Sequence, residues 1–288
     1  LEIVLGVLGN VLLLYLHIFH LFTGHKTRPI GLIVINLALS NTLMILFRGV
    51  PWTMKLLQLK IFLDVIGCKI LIYLQRVTWS ICLCSTSLLS TFQAITISSS
   101  NTRWTKLKDR APKFVIPFCS LLWSLVLMFG VAVFFQTTAS WNSTDSRQNS
   151  NLRFCSLNRY TMTISKFIIW KSLYEGVFVC FIVTTSSYMM FILYKHHQQV
   201  RQTLGISLNP RPSPEIRATK TILLLVSIFL CFYSVTFIFI ICMQNSQGTT
   251  QWMSHVSVLL TLCYPTFTPY VLISSDSQIS NFIMFSKG

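Results

Sequence analysis

Seven stretches of this chain are apolar almost without interruption, at about residues 1–22, 30–50, 68–97, 113–135, 167–194, 218–243 and 253–274, with polar connectors between them. A helix rises about 1.5 Å per residue, so about 20 such residues cross the roughly 30 Å hydrocarbon core of a bilayer. The pattern predicts an all-α membrane protein: one seven-helix transmembrane domain over residues 1–288, with no soluble domain and no repeat of fixed period. An odd number of crossings puts the termini on opposite sides. The chain opens on Leu1, already inside an apolar run, so a short native N-terminal segment is expected to precede it.

The third stretch organises the rest. From Cys68 to Gln93 a helix would climb about 37 Å, joining a cysteine at one face, Arg76 within the membrane and a polar cluster at the other face. Arginine near a helix centre costs roughly 2.5–3.5 kcal/mol on insertion scales, so Arg76 should face the bundle interior and find a partner. Glu175 is the one acid clearly within an apolar run after the first few residues, and is the expected counter-charge. The pair can be structural, or Arg76 can also present a cation to the outer cavity.

Composition agrees with a bilayer as solvent. Hydrophobic residues make up 53% and charged residues 10%, where soluble domains approach about a quarter charged. Net charge is +16, but the basic residues fall between apolar runs rather than along one polar face, which argues against nucleic acid and for juxtamembrane positions. Orientation follows from two signals. Thirteen basic residues lie in connectors and tail on one side and nine on the other, and the single Asn-x-Ser/Thr sequon, Asn142-Ser143-Thr144, lies in the long fourth-to-fifth connector. Both put the N-terminus outside and the C-terminus inside.

Seven of the nine cysteines fall within spans and read as small apolar fillers. Cys68 and Cys155 fall at the outer, oxidising face and are expected to form a disulfide. No cysteine spacing suits zinc, and the adjacent His196 and His197 point apart on a helix, so no metal or cofactor is implied. Asn10, Asn36, Ser40 and Asn41 should bond across helices. The second span is expected to end at Gly49-Val50-Pro51, because proline disfavours helix in the residue before it. Pro265 and Pro269 should kink the last span, as a hinge or a static bend, with Thr266 and Thr268 satisfying the freed carbonyls.

Several fragments resemble the vomeronasal type-1 receptors. These are Gln75-Arg76-Val77, Leu89 through Ser98, Arg103-Trp104 with Ala111-Pro112-Lys113, Phe191-Ile192-Leu193-Tyr194, Ser213-Pro214-Glu215 with Arg217 through Leu225, and Pro265-Thr266 through Pro269-Tyr270-Val271-Leu272. The resemblance runs from about Gly6 to Asp276 and implies a G-protein-coupled pheromone receptor in the plasma membrane of vomeronasal sensory neurons, signalling through an inhibitory-class G protein. Phe92-Gln93-Ala94 stands where the larger rhodopsin-like pattern has an acidic-Arg-aromatic triplet, Asn41 where it has an aspartate, and Thr268-Pro269 where it has Asn-Pro.

The leading expectation is a chemosensory receptor. A small, mostly apolar ligand, able to carry an anionic group, would enter from outside between the third, fifth, sixth and seventh helices, near Gln75, Arg76, Glu175 and Phe237. In the signalling state the fifth and sixth helices would part at the inner face and expose Gln93, Arg103, Tyr194, Arg201 and Arg217 to a heterotrimeric G protein. A transporter or channel, or a non-functional receptor copy, is the alternative; one intramembrane ionic pair and seven single spans fit transport less well. An enzyme is not expected: there is no His-Glu-x-x-His helix and no Gly-x-Ser-x-Gly elbow, and the whole chain holds seven acids. The assigned orientation is checked by Asn142→Gln, which should abolish a glycosidase-sensitive mobility shift in receptor expressed in mammalian cells.

Overall fold

The computed structural model describes residues 1–22, 29–57, 65–98, 102–136, 162–204, 214–245 and 251–275. The elements are α1 (Glu2–Phe22), α2 (Pro29–Met44), a π-helical turn (Ile45–Gly49), α3 (Val50–Leu56), α4 (Val65–Ile97), α5 (Thr102–Gln136), α6 (Met162–Leu204), α7 (Pro214–Asn245) and α8 (Gln251–Ser275). α2, the π turn and α3 follow one another without a break, so the described helices make seven rods. Six are long and apolar enough to cross a bilayer, and α5 holds a shorter apolar run, Lys113–Met128.

Burial runs opposite to that of a soluble domain. Asn10, Ser40, Asn41, Ser85, Thr86 and Ser90 are wholly buried, whereas Phe22, Met128, Met190, Phe191 and Phe181 stand exposed. Lipid rewards apolar side chains on the outside and supplies no hydrogen bonds, so polar groups must be satisfied by one another within the bundle. α4 is the central rod, packed against α2, α5, α6 and α7. Its Leu83 and Leu89 join Leu37, Ile182, Leu225 and Phe229 in the principal apolar core.

The second rod does not end at Pro51, as the sequence suggested. Proline lacks the N–H that would bond the carbonyl four residues back, here that of Phe47. Gln75 of α4 replaces it, its Nε2 donating to the Phe47 carbonyl at 2.8 Å. The helix can therefore pass through the proline, with the π turn just before it.

α8 repeats the device. Pro269 frees the carbonyl of Pro265, and Asn10 Nδ2 of α1 donates to that carbonyl at 2.8 Å, while also meeting the Gly6 carbonyl at 2.8 Å. The expectation that Thr266 and Thr268 would serve is corrected: Thr268 Oγ1 bonds the Tyr264 carbonyl, and Thr266 Oγ1 is buried with no hydrogen-bond partner among the described residues. The hydroxyls sit on α8 itself, but the freed carbonyl faces α1. Small residues let α1 come this close. A Cβ on Gly9 would stand 2.8 Å from Pro269 Cγ, and one on Gly6 would stand 2.8 Å from Thr266 Oγ1.

Amides carry the network onward through the bundle. Asn41 Nδ2 reaches Asn10 Oδ1 at 3.4 Å, and Cys82 Sγ donates to Asn41 Oδ1 at 3.1 Å. Asn36 Nδ2 donates to Ser85 Oγ at 2.7 Å and its Oδ1 accepts from Trp123 Nε1 at 2.8 Å, which ties α2, α4 and α5 at one level. Asn10→Leu should leave the Pro265 carbonyl without its side-chain donor and cost about 1–3 kcal/mol. The expected outcome is a clear drop in the melting temperature of the purified receptor, checked by thermal unfolding in detergent or nanodiscs.

Candidate functional site

α7 sets Phe229, Tyr233 and Phe237 four residues apart, so they form a file along one face. Tyr233 stacks on Phe229 with ring centres 5.7 Å apart and on Phe237 at 6.4 Å. Trp79 of α4 lies against the same Tyr233 at 6.0 Å with its ring plane 14° away, and Tyr264 of α8 meets Phe229 edge-on at 4.8 Å. Between these three helices is a small cleft lined by Trp79, Phe229, Tyr233, Thr236, Thr261 and Tyr264 among others. Its free space is about 10 Å³, room for about one water, against the roughly 300–1,000 Å³ typical of ligand pockets. A guest larger than a water molecule would have to move α7.

The cavity wall is apolar with few polar groups. Tyr264 Oη is used, 2.8 Å from Thr86 Oγ1. Tyr233 Oη donates to Glu175 Oε2 of α6 at 3.5 Å. Thr236 Oγ1 is buried and meets no hydrogen-bond partner among the described residues. Since a buried hydroxyl left unbonded costs free energy, Thr236 is the group in this wall that stands ready for a guest's donor or acceptor.

The residues expected from sequence to bind ligand do not line this cleft. Gln75 is committed through its Nε2 to the Phe47 carbonyl, a joint between helices. Arg76 lies one turn outward of Trp79 on the same face and within electrostatic reach of Glu175. Glu175 is buried and accepts from Tyr233. Phe237 is 47% exposed and stacks on Tyr233. Trp79 was within reach of sequence reasoning, because it follows Arg76 by three residues; Thr236 gave no signal, because a lone threonine in an apolar run looks like any other.

At the inner end the bundle is closed. Gln93 is buried, and its Nε2 donates to Thr219 Oγ1 of α7 at 2.8 Å. Ser90 and Thr185 share a hydrogen bond at 2.7 Å, and Ser98 and Tyr188 share one at 2.6 Å, which joins α4 to α6. Tyr194 and Arg217 are exposed, with Gln198 Nε2 donating to Tyr194 Oη at 2.8 Å. Arg103 and Arg201 lie on α5 and α6, but their side chains are outside the described residues, as are Asn142 and Cys155. Cys68 is buried near the start of α4 and is disulfide-bonded, whereas Cys82, Cys84, Cys119, Cys180, Cys231, Cys242 and Cys263 are free.

Seven rods round a central α4, with an aromatic cleft toward one end and a closed polar joint at the other, make a seven-helix membrane bundle. Comparison with known proteins decides which kind. The model of the vomeronasal organ pheromone receptor family matches residues 1–285. The chain belongs to this vomeronasal type-1 receptor family. It is 38% identical to vomeronasal type-1 receptor 1 of Homo sapiens over 277 residues, covering 96% of this chain and 78% of that one. It is 35% identical to vomeronasal type-1 receptor 4 of Homo sapiens, with 98% and 94% covered. Olfactory receptor class A-like protein 1 of Danio rerio is 28% identical, with 96% and 87% covered.

This vomeronasal-type chain is therefore a multi-pass plasma-membrane receptor of the G-protein-coupled class with a chemosensory role, and not an enzyme. Thr236→Val removes a hydroxyl from the cavity wall and keeps the shape. Receptor stability should be unchanged or slightly higher, while the potency of a hydrogen-bonding ligand should fall by up to about tenfold, the worth of one hydrogen bond. Paired thermal unfolding and dose–response curves check this.

Proposed function

We propose that this receptor binds a small, mostly apolar molecule in the cavity between α4, α7 and α8, entered from the outer side, and relays its presence to an inhibitory-class G protein in vomeronasal sensory neurons. Tyr233 supports this reading more than any other observation. It stacks on Trp79 and Phe229 and bonds Glu175, so a guest that displaces it shifts α7 relative to both α4 and α6. A ligand moves such an equilibrium only by binding one arrangement better than the other. The contacts around Tyr233 are where that difference would arise.

In this reading Gln93–Thr219 is a neutral latch. While α7 is latched to α4, Gln93 is covered; when the inner end of α7 swings out, Gln93, Tyr194 and Arg217, with Arg103 and Arg201, become the docking surface for the G protein. The outer end is held by a Cys68–Cys155 disulfide, and Asn142 carries a glycan.

The reading is tested in cells expressing the full-length receptor with a promiscuous G protein, with a panel of volatile and steroidal compounds and a calcium readout. Blockade by an inhibitory-class-specific toxin in cells with native G proteins separates the class. Solute flux in liposomes without G-protein activation would overturn it. Thr219→Val should break the latch while keeping the side chain's volume, and Thr219→Ser should preserve it. Losing about 1 kcal/mol of hydrogen bonding shifts the closed-to-open ratio about fivefold. The expected result is higher ligand-free signalling in Thr219→Val but not in Thr219→Ser.

A further inference from the structure

The rings around Tyr233 share one orientation. Tyr233 lies 14° from the plane of Trp79 on α4, 28° from Phe229 and 6° from Phe237. Other pairs in the bundle cross edge-on, as Tyr174–Phe178 do at 68° and Trp52–His255 at 66°. Aromatic pairs accept edge-on and offset parallel contacts alike, so packing by itself does not call for three near-parallel neighbours on one ring.

Depth along the file is graded. Phe237, nearest the outer end of α7, is 47% exposed, whereas Phe229 is 2% exposed. Beyond Phe229 the seam stops at Tyr264, which meets that ring at 73° and is held by Thr86. Thr236 adds one buried hydroxyl that has no hydrogen-bond partner among the described residues. The rings thus make a flat-sided seam that begins at the exposed Phe237 and ends against the edge of Tyr264.

We infer that the guest of this site is planar: an aromatic or conjugated ring system that slides between Trp79 and Tyr233, with a single hydroxyl or carbonyl for Thr236. The inference rests on the ligand site proposed above and names the class of molecule which that site takes. Carbon faces pack at about 3.5–4.0 Å, so two rings with one flat guest between them stand about 7–8 Å apart. The ring centres of Trp79 and Tyr233 are 6.0 Å apart, and a further separation of about 1–2 Å admits the guest. A puckered saturated ring carries hydrogens above and below its carbons and needs a wider gap. The energetics point the same way. A flat guest replaces one ring-on-ring contact by two, whereas a saturated guest breaks one and restores none. The tether that must yield is the Tyr233–Glu175 hydrogen bond, which at 3.5 Å is long for its kind.

The test uses purified full-length receptor in nanodiscs, with melting temperature as the readout and no G protein present. The probes are two pairs: naphthalene-2-methanol with decahydronaphthalene-2-methanol, and benzyl alcohol with cyclohexylmethanol. Within a pair the alcohol and carbon skeleton are the same and only flatness differs. Each compound is dosed to equal concentration in the bilayer, measured with empty nanodiscs, so that partitioning does not mimic binding. The flat member of each pair should produce its shift at about tenfold lower concentration than its saturated partner. Tyr233→Phe keeps the ring and should keep this preference, whereas Tyr233→Leu should erase it. Trp79→Leu removes the opposite face and should erase it too, which covers the case in which Tyr233→Leu does not fold.

Equal shifts from flat and saturated partners in the unaltered receptor overturn the inference, as does the absence of a shift with all four compounds. It is overturned equally by a preference that survives the leucine variants, or by one that is lost in Tyr233→Phe. Because binding is read without signalling, flat compounds that bind but activate no G protein would refute the proposed function and leave this specificity standing. Saturated compounds that bind as tightly as flat ones, and signal, would do the reverse.

Discussion

Lipid cannot form hydrogen bonds, and the interior of this receptor is organised by that fact. Every polar group within the membrane must find its partner inside the bundle. The described core is accordingly wettest at its centre, where Asn10, Asn41, Asn36, Ser85 and Trp123 join four rods, and greasiest at its rim. The two proline devices follow from the same constraint. Pro51 and Pro269 each free a carbonyl, and each time an amide from a neighbouring rod takes it, Gln75 for Phe47 and Asn10 for Pro265. Each proline therefore becomes a point where two helices are fastened, which is the opposite of a loose joint.

α7 is held to its neighbours mainly by apolar packing, with few side-chain hydrogen bonds among the described residues. Its outer half meets its neighbours through stacked rings and one long hydrogen bond from Tyr233 to Glu175, and its inner end through Gln93–Thr219. Stacked rings can slide at small cost, whereas a broken amide–carbonyl bond in lipid has no substitute. A ligand bound beside Tyr233, as proposed, would act where α7 is held by ring stacking and one long hydrogen bond. The neutral latch also fits Phe92-Gln93-Ala94 standing where an ionic triplet is found in other receptors.

Much of the architecture could be read directly. Seven apolar runs gave seven rods, and the motif order around Arg76, Gln93 and Pro265 gave the family. The site was only partly legible. Arg76 and Glu175 were identified because charge within an apolar run is conspicuous, yet they do not line the cleft. Trp79, Tyr233 and Tyr264 form that wall, but in a chain with 22 phenylalanines, nine tyrosines and seven tryptophans no pattern singles them out.

What the sequence determined by itself was the solvent, the number of crossings and the kinship, since each depends on the summed hydrophobicity of twenty-odd residues or on motifs spread along the chain. Which rods touch, and through which atoms, was decided only by tertiary structure. Gln75 is 24 positions after Pro51 and Asn10 is 259 before Pro269, yet each supplies the hydrogen bond that lets a helix continue. A proline breaks or bends according to whether a donor waits opposite its freed carbonyl, and that donor's position is a property of the packed bundle.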